Sequence, residues 1–168
     1  MAGLAPEFEK RNTKIIGISV DPVASHHEWK QDIKDVTGHA VDYPLIGDPE
    51  LKVAKLFDML PANAGDSSEG RTPADNQTVR SVFVIDPDKK VKLSLTYPMT
   101  TGRNFDEILR VIDSMQLTAK HQVATPAQWR EGDDVIITAA VPDDEARERF
   151  GGFDQPKPYL RYTKQPRD

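Results

Sequence analysis

A chain of 168 residues can bury one sizeable core, or one core and a small appended domain. It is 38% hydrophobic and 29% charged, with a net charge of −5 and a pI near 5.4, which argues against nucleic acid or an anionic membrane surface as the main partner. No apolar run approaches a membrane span, and the opening MAGLAPEFEKRN has neither the basic start nor the apolar core of a signal peptide, so the expected compartment is the cytoplasm.

The cysteine count is zero, which leaves no disulfide framework, thiolate nucleophile or cysteine metal site. Residues 4–11 (LAPEFEKR) read as the tail of a helix, with Leu4, Phe8 and Arg11 on helical spacing and no cap before them. Lys14 to Val20 (KIIGISV) is a continuous apolar run, expected to be a buried parallel strand. Ser25 and Glu28 have the spacing of a capping box, and the helix they open carries Trp29, Ile33 and Val36 on a core-facing side before stopping at Gly38. Asp48-Pro49-Glu50 opens another helix, with its apolar side running to Leu60.

Residues 61–77 have no apolar period and form a long loop, functional or mobile. Ser81 to Ile85 (SVFVI) reads as a strand buried on both faces, and Val91, Leu93, Leu95 and Tyr97 alternate as a strand with one wet face. Asp86-Pro87-Asp88 between them predicts a hairpin turn. Phe105, Ile108, Leu109, Ile112 and Met115 form the buried stripe of an amphipathic helix. From about Ala119 the chain turns proline-rich, with a strand at Val135–Ala139, an acidic helix at Asp143–Phe150 and a strand at Tyr159–Thr163. The pattern is a mixed α/β layer fold with domains at 1–118 and 119–168, the second too small to be self-sufficient.

Arg80 stands at the mouth of the first hairpin strand, where a guanidinium is costly unless it holds an anion. On the residues alone it reads as a strand-end arginine paired with a surface carboxylate. His26 and His27 are adjacent at a helix start, diverge in direction and make a poor metal pair, so surface or capping roles are expected. His39 and His121 have no ligand-spaced partners, and no phosphate-binding glycine motif occurs. No metal or cofactor is expected.

The stretches LAPEFEKRNTKIIGISVDPVASHHEWKQDI, YPLIGDPELKVAKLFDML, TVRSVFVIDPDKKVKLSLTYPMTTGRNFDEILR with the following QLT and VATP…W, and KPYLRYTKQP resemble the one-cysteine peroxiredoxins that carry a C-terminal extension. The resemblance spans about Leu4 to Pro166. It implies a thioredoxin-type α/β sandwich with a C-terminal dimerisation domain, a homodimer, and reduction of hydrogen peroxide and organic hydroperoxides by one cysteine with an external thiol as reductant.

The family's proline–threonine–cysteine motif is absent, and with it the opening strands, so the chain reads as truncated before the peroxidatic cysteine and inactive alone. KIIGISV and SVFVI must then pair directly or leave a gap. Under the resemblance Arg80 matches the arginine that holds the thiolate and orients the peroxide. Arg103 matches a second arginine of the same pocket, and for it the structural and functional readings both stay open. Asp88 matches an aspartate used in a lipase site by some relatives, but as a turn residue it needs no catalytic explanation. The alternative reading is a cysteine-free relative that acts as a non-catalytic dimer or interaction partner.

Overall fold

The computed structural model describes residues 1–60, 63–70 and 78–167, so residues 61, 62 and 71–77 of the expected 61–77 loop lie outside the described residues. The chain divides into two compact units, Met1–Asn104 and Phe105–Asp168. The expected boundary at 118 falls inside a helix that runs unbroken from Phe105 to His121.

In the first unit, helix α1 (Ala5–Lys10) follows a 3-10 turn and buries Phe8. Strand β1 (Gly17–Ser19) pairs in parallel with β2 (Leu45–Gly47), a strand the sequence reading did not contain. Helix α2 (Val23–Thr37) crosses between them and ends on Gly38, whose φ of +74° is the left-handed C-cap that glycine adopts without steric cost. The expected capping box does not form. Pro22 occupies the N-cap in extended conformation, so the helix begins two residues before Ser25, and no side chain caps it.

Gly47 is fixed by close approach. A Cβ there would lie 2.9 Å from the carbonyl oxygen of Asp21 and 3.1 Å from the amide nitrogen of Val23, backbone atoms that cannot yield as a side chain can. Helix α3 is shorter than expected, Lys52–Leu56, because Leu51 takes a left-handed φ of +56°. Buried Asp48 accepts a hydrogen bond from the amide of Ala54 at 2.7 Å, capping the first turn from six residues away.

The hairpin forms as β3 (Arg80–Ile85) and β4 (Val91–Tyr97), antiparallel, with a bulge at Val84/Ile85. Its turn is closed by Asp86, which accepts the Lys90 amide on its side chain at 2.9 Å, while Lys89 takes a φ of +63°. β1 and β3 do not pair: β1–β2 and β3–β4 are separate two-stranded sheets. Both nevertheless pack on one apolar cluster of Val20, Leu51, Ala54, Met59, Leu60 and Ala64, against which Ile18 and Phe83 lie. β3 is half-exposed along its length rather than buried on both faces.

The second unit opens with α4 (Phe105–His121), which buries Ile108, Leu109 and Ile112 and carries Asp106 and Glu107 in its first turn, where the helix dipole favours them. A four-stranded antiparallel sheet follows in the order β5 (Val123–Ala124), β6 (Val135–Ile137), β8 (Leu160–Thr163), β7 (Asp154–Lys157), with α5 (Asp143–Phe150) between β6 and β7. Trp129 is 2% exposed and packs with Val123 and Val135, its indole donating to the carbonyl of Asp133. A second cluster of Ile137, Val141 and Ala146 shares Phe150 with the first.

Buried Arg161 ties this unit together. One guanidinium nitrogen donates to Asp143 at 2.6 Å, and the other donates to the carbonyls of Thr138 and Val141 at 2.8 Å each.

Candidate functional site

The first residue of β3 is Arg80, opposite Tyr97 in the hairpin register. Its side chain is half-buried, and Nη1 donates to the carbonyl of Thr78 at 3.3 Å. Among the described residues no carboxylate pairs with it. The surface ion pair expected from the residues alone does not form among the described residues, and a half-buried guanidinium without a counter-charge is the arrangement that recruits an anion.

Arg103, on the loop after β4, reaches the same neighbourhood from 23 positions further along. It is exposed overall, but the protein around its guanidinium, and after that the like charge of Arg80, hold its pKa below the ordinary arginine value; Tyr43 acts in the opposite sense. Tyr43 was not singled out in the sequence. It lies just before β2, half-buried, with its ring 3.7 Å from where a Cβ of Gly17 would stand. Burial raises its phenol pKa, and the positive charge of Arg103 partly offsets that rise. The protonated phenol is a neutral donor near the Arg103 cation. Two guanidinium groups close enough to repel one another suit a bound anion, or a charge developing on a reacting oxygen.

The other sequence candidates lie elsewhere. Asp88 is an exposed turn residue. His26 departs from the expected surface or capping role: it is 4% exposed on α2, and neither ring nitrogen has a hydrogen-bond partner. Its ring tilts against Trp29 at 6.5 Å, and Trp29, expected in the core, is 49% exposed. No group of three or more metal-ligating side chains gathers among the described residues. Among those residues no helix is long and apolar enough to cross a membrane. In the second unit an open cleft of about 340 Å³ is lined by Asp113, Lys120, Trp129, Glu131 and Arg167, charges of both signs that select no single ligand chemistry.

Comparison with known proteins adds the family. The AhpC/TSA family profile matches residues 1–94, and the profile for the C-terminal domain of 1-Cys peroxiredoxin matches residues 114–152. The chain is 52% identical to the mitochondrial peroxiredoxin PRX1 of Saccharomyces cerevisiae over 97% of its own length and 62% of the relative's. It is 48% identical to a 1-Cys peroxiredoxin of Dictyostelium discoideum, over 99% and 66%. The chain thus spans about two thirds of the length of these relatives.

Among solved structures, the yeast mitochondrial 1-Cys peroxiredoxin, described as resolving its thiol via glutathione/thioredoxin systems, superposes with a TM-score of 0.88 at 51% identity, over 97% of this chain and 76% of that one. A peroxiredoxin 6 of Arenicola marina gives 0.86 at 42%, over 99% and 77%. These likenesses bear out the expected thioredoxin-type fold with a C-terminal domain. They overturn the cytoplasmic expectation, because the yeast relative is mitochondrial. Bulk composition and charge set solubility and partner class, and they do not encode a compartment.

Proposed function

Because this chain belongs to the AhpC/TSA peroxiredoxins, in their 1-Cys branch, we propose that in the form bearing the family's cysteine it is a thiol-dependent peroxidase for hydrogen peroxide and organic hydroperoxides. The 168 residues alone contain no cysteine and are inactive in this reading. In the reaction a cysteine thiolate attacks the terminal peroxide oxygen, the O–O bond breaks, and the remaining oxygen leaves as water or an alcohol after taking a proton. The sulfenic acid formed condenses with an external thiol, releasing water, and a second thiol exchanges with the mixed disulfide to restore the cysteine.

Arg80 is assigned the central role. Its fixed charge lowers the thiol pKa and stabilises the charge developing on the leaving oxygen. Arg103 adds to the same field. The observation that carries this assignment is the half-buried Arg80 guanidinium, left without a carboxylate among the described residues and sharing its surroundings with Arg103. By analogy with the yeast relative, glutathione or thioredoxin systems supply the reducing thiol, and the compartment is the mitochondrion. Residues 119–168 serve homodimerisation in this reading.

The second reading, a cysteine-free partner in mixed dimers, is favoured by the cysteine count of zero. The intact mass of the protein isolated from its source separates the two. A mass above 18.8 kDa, with one reactive thiol, supports the peroxidase. A mass equal to that of these residues supports the partner.

A further inference from the structure

Arg80 stands opposite Tyr97 in the hairpin register, and Met99 follows two residues after Tyr97. Met99 sits in a turn that the Thr101 amide closes on the carbonyl of Pro98 at 2.9 Å. The chain then reaches Arg103, which is close enough to Arg80 for the two charges to repel. Both ends of the segment from Tyr97 to Arg103 therefore lie by Arg80, with Met99 at the bend between them. Of the four methionines Met99 alone is exposed, at 43%. Met59 is buried, and Met1 and Met115 are half-buried.

A thioether is a polarisable two-electron nucleophile on a side chain with three rotatable bonds, and it has no proton to lose before it reacts. We propose that Met99 is an oxidation site, whose sulfur takes an oxygen atom from a hydroperoxide held by Arg80 and Arg103. The inference rests on the reading of these arginines as the groups that bind the peroxide. The sulfur lone pair attacks the terminal peroxide oxygen, and the S–O bond forms as the O–O bond breaks. Sulfur is oxidised by two electrons to the sulfoxide, and the peroxide is reduced by the same two. The remaining oxygen leaves as water or an alcohol, taking up the proton that the transferred oxygen gives up. Charge builds on that leaving oxygen during the step, so fixed guanidinium groups beside it lower the barrier. The reaction needs no thiolate and is open to a chain without cysteine. It occurs once per chain, because only dedicated sulfoxide reductases return the sulfoxide to methionine. It therefore adds nothing to sustained, thiol-dependent consumption of peroxide.

The test exposes the whole 168-residue chain to excess hydrogen peroxide at neutral pH and follows the sulfoxide at each methionine by peptide mass spectrometry. N-acetylmethionine amide in the same vial supplies the rate of an unassisted thioether. Met99 should oxidise about tenfold faster than that reference, and Arg80→Ala should bring it down to the reference rate. A second measurement leaves the chain unaltered, so it does not depend on the variant folding. Sulfate should compete for the arginines and slow Met99 in the wild-type chain, compared with chloride at equal ionic strength. A Met99 rate no higher than the reference would overturn the proposal. So would a fast rate that neither Arg80→Ala nor sulfate reduces, since exposure alone would then explain it. The peroxidase reading is decided separately, by the mass and reactive thiol of the protein from its source, and survives either result.

Discussion

Ile18 and Phe83 rest on one apolar cluster while their backbones share no hydrogen bond. The first unit is consequently held together by side chains where a continuous sheet would also use its ladder. Phe83 contributes through its contact with Phe57, ring centroids 4.8 Å apart and tilted. Truncating Phe83→Ala should cost about 2–3 kcal/mol, below the usual range for a fully buried phenylalanine because Phe83 is half-exposed. Urea unfolding followed by tryptophan fluorescence measures it, and a loss under about 0.5 kcal/mol, the scale of ordinary surface changes, would mean the shared core is not a source of stability.

Asp48 tests the capping of α3. Asp48→Ala removes the acceptor for the Ala54 amide and leaves that donor buried, with an expected loss of about 1–2 kcal/mol. Asp48→Asn keeps an oxygen in place and should recover part of the loss. Equal losses for the two variants would argue that the negative charge matters, not the cap.

In the second unit, Arg161→Met keeps the apolar stem but strips donors from Asp143 and from the carbonyls of Thr138 and Val141. The expected cost is about 3 kcal/mol, since the carbonyls of Thr138 and Val141 left behind are partly or wholly buried. Arg161→Lys should recover little, because one ammonium cannot reproduce a forked guanidinium that reaches three acceptors. Thermal unfolding of the two variants gives the comparison.

A pH prediction rests on Glu107, whose pKa is lowered chiefly by its hydrogen bonds from Arg110, at 2.6 and 2.7 Å. A depressed folded-state pKa gives stability that is present above the unfolded value near 4.5 and is lost as pH falls through the lower folded value. The pair is partly exposed, so its contribution is below about 1 kcal/mol. Wild type should exceed Glu107→Gln in stability at pH 6, and the difference should close on acidification below pH 4.5. A gap that persists at low pH would point to packing instead.

Much of the fold was legible in the sequence because period and turn chemistry agree. The β4 alternation, the Asp86 turn, the stripe of α4 and the bounds of α5 all appear where local rules place them. What escaped depended on distant contacts. β2 is three residues, Leu45 to Gly47, between a proline and an aspartate, too short for a period, and exists because β1 is beside it. Pro22, not Ser25, caps α2, since the chain leaving β1 turns at Ser19 and Asp21 before the box is reached. Trp129 sits among polar neighbours in sequence and is buried by strands that arrive later in the chain. Arg80 was legible as a misplaced charge, whereas Tyr43 carries no local signal of Arg103, whose charge reaches it.

That neighbourhood can be read directly by ultraviolet titration of the tyrosines. The positive charge of Arg103 opposes the burial that raises the Tyr43 pKa, so Arg103→Ala should move one tyrosine to a higher pKa. An unchanged titration curve would separate Arg103 from Tyr43 and dissolve the proposed polar site.

The most direct measurement of the central claim is thiol-dependent consumption of hydrogen peroxide by the purified 168-residue chain, with dithiothreitol as reductant. In the proposed reaction the nucleophile is a cysteine these residues do not contain, so the expected rate equals that of reductant and peroxide alone. A rate above that background that disappears in Arg80→Ala would contradict it, showing that the arginine site supports peroxide chemistry without a thiolate.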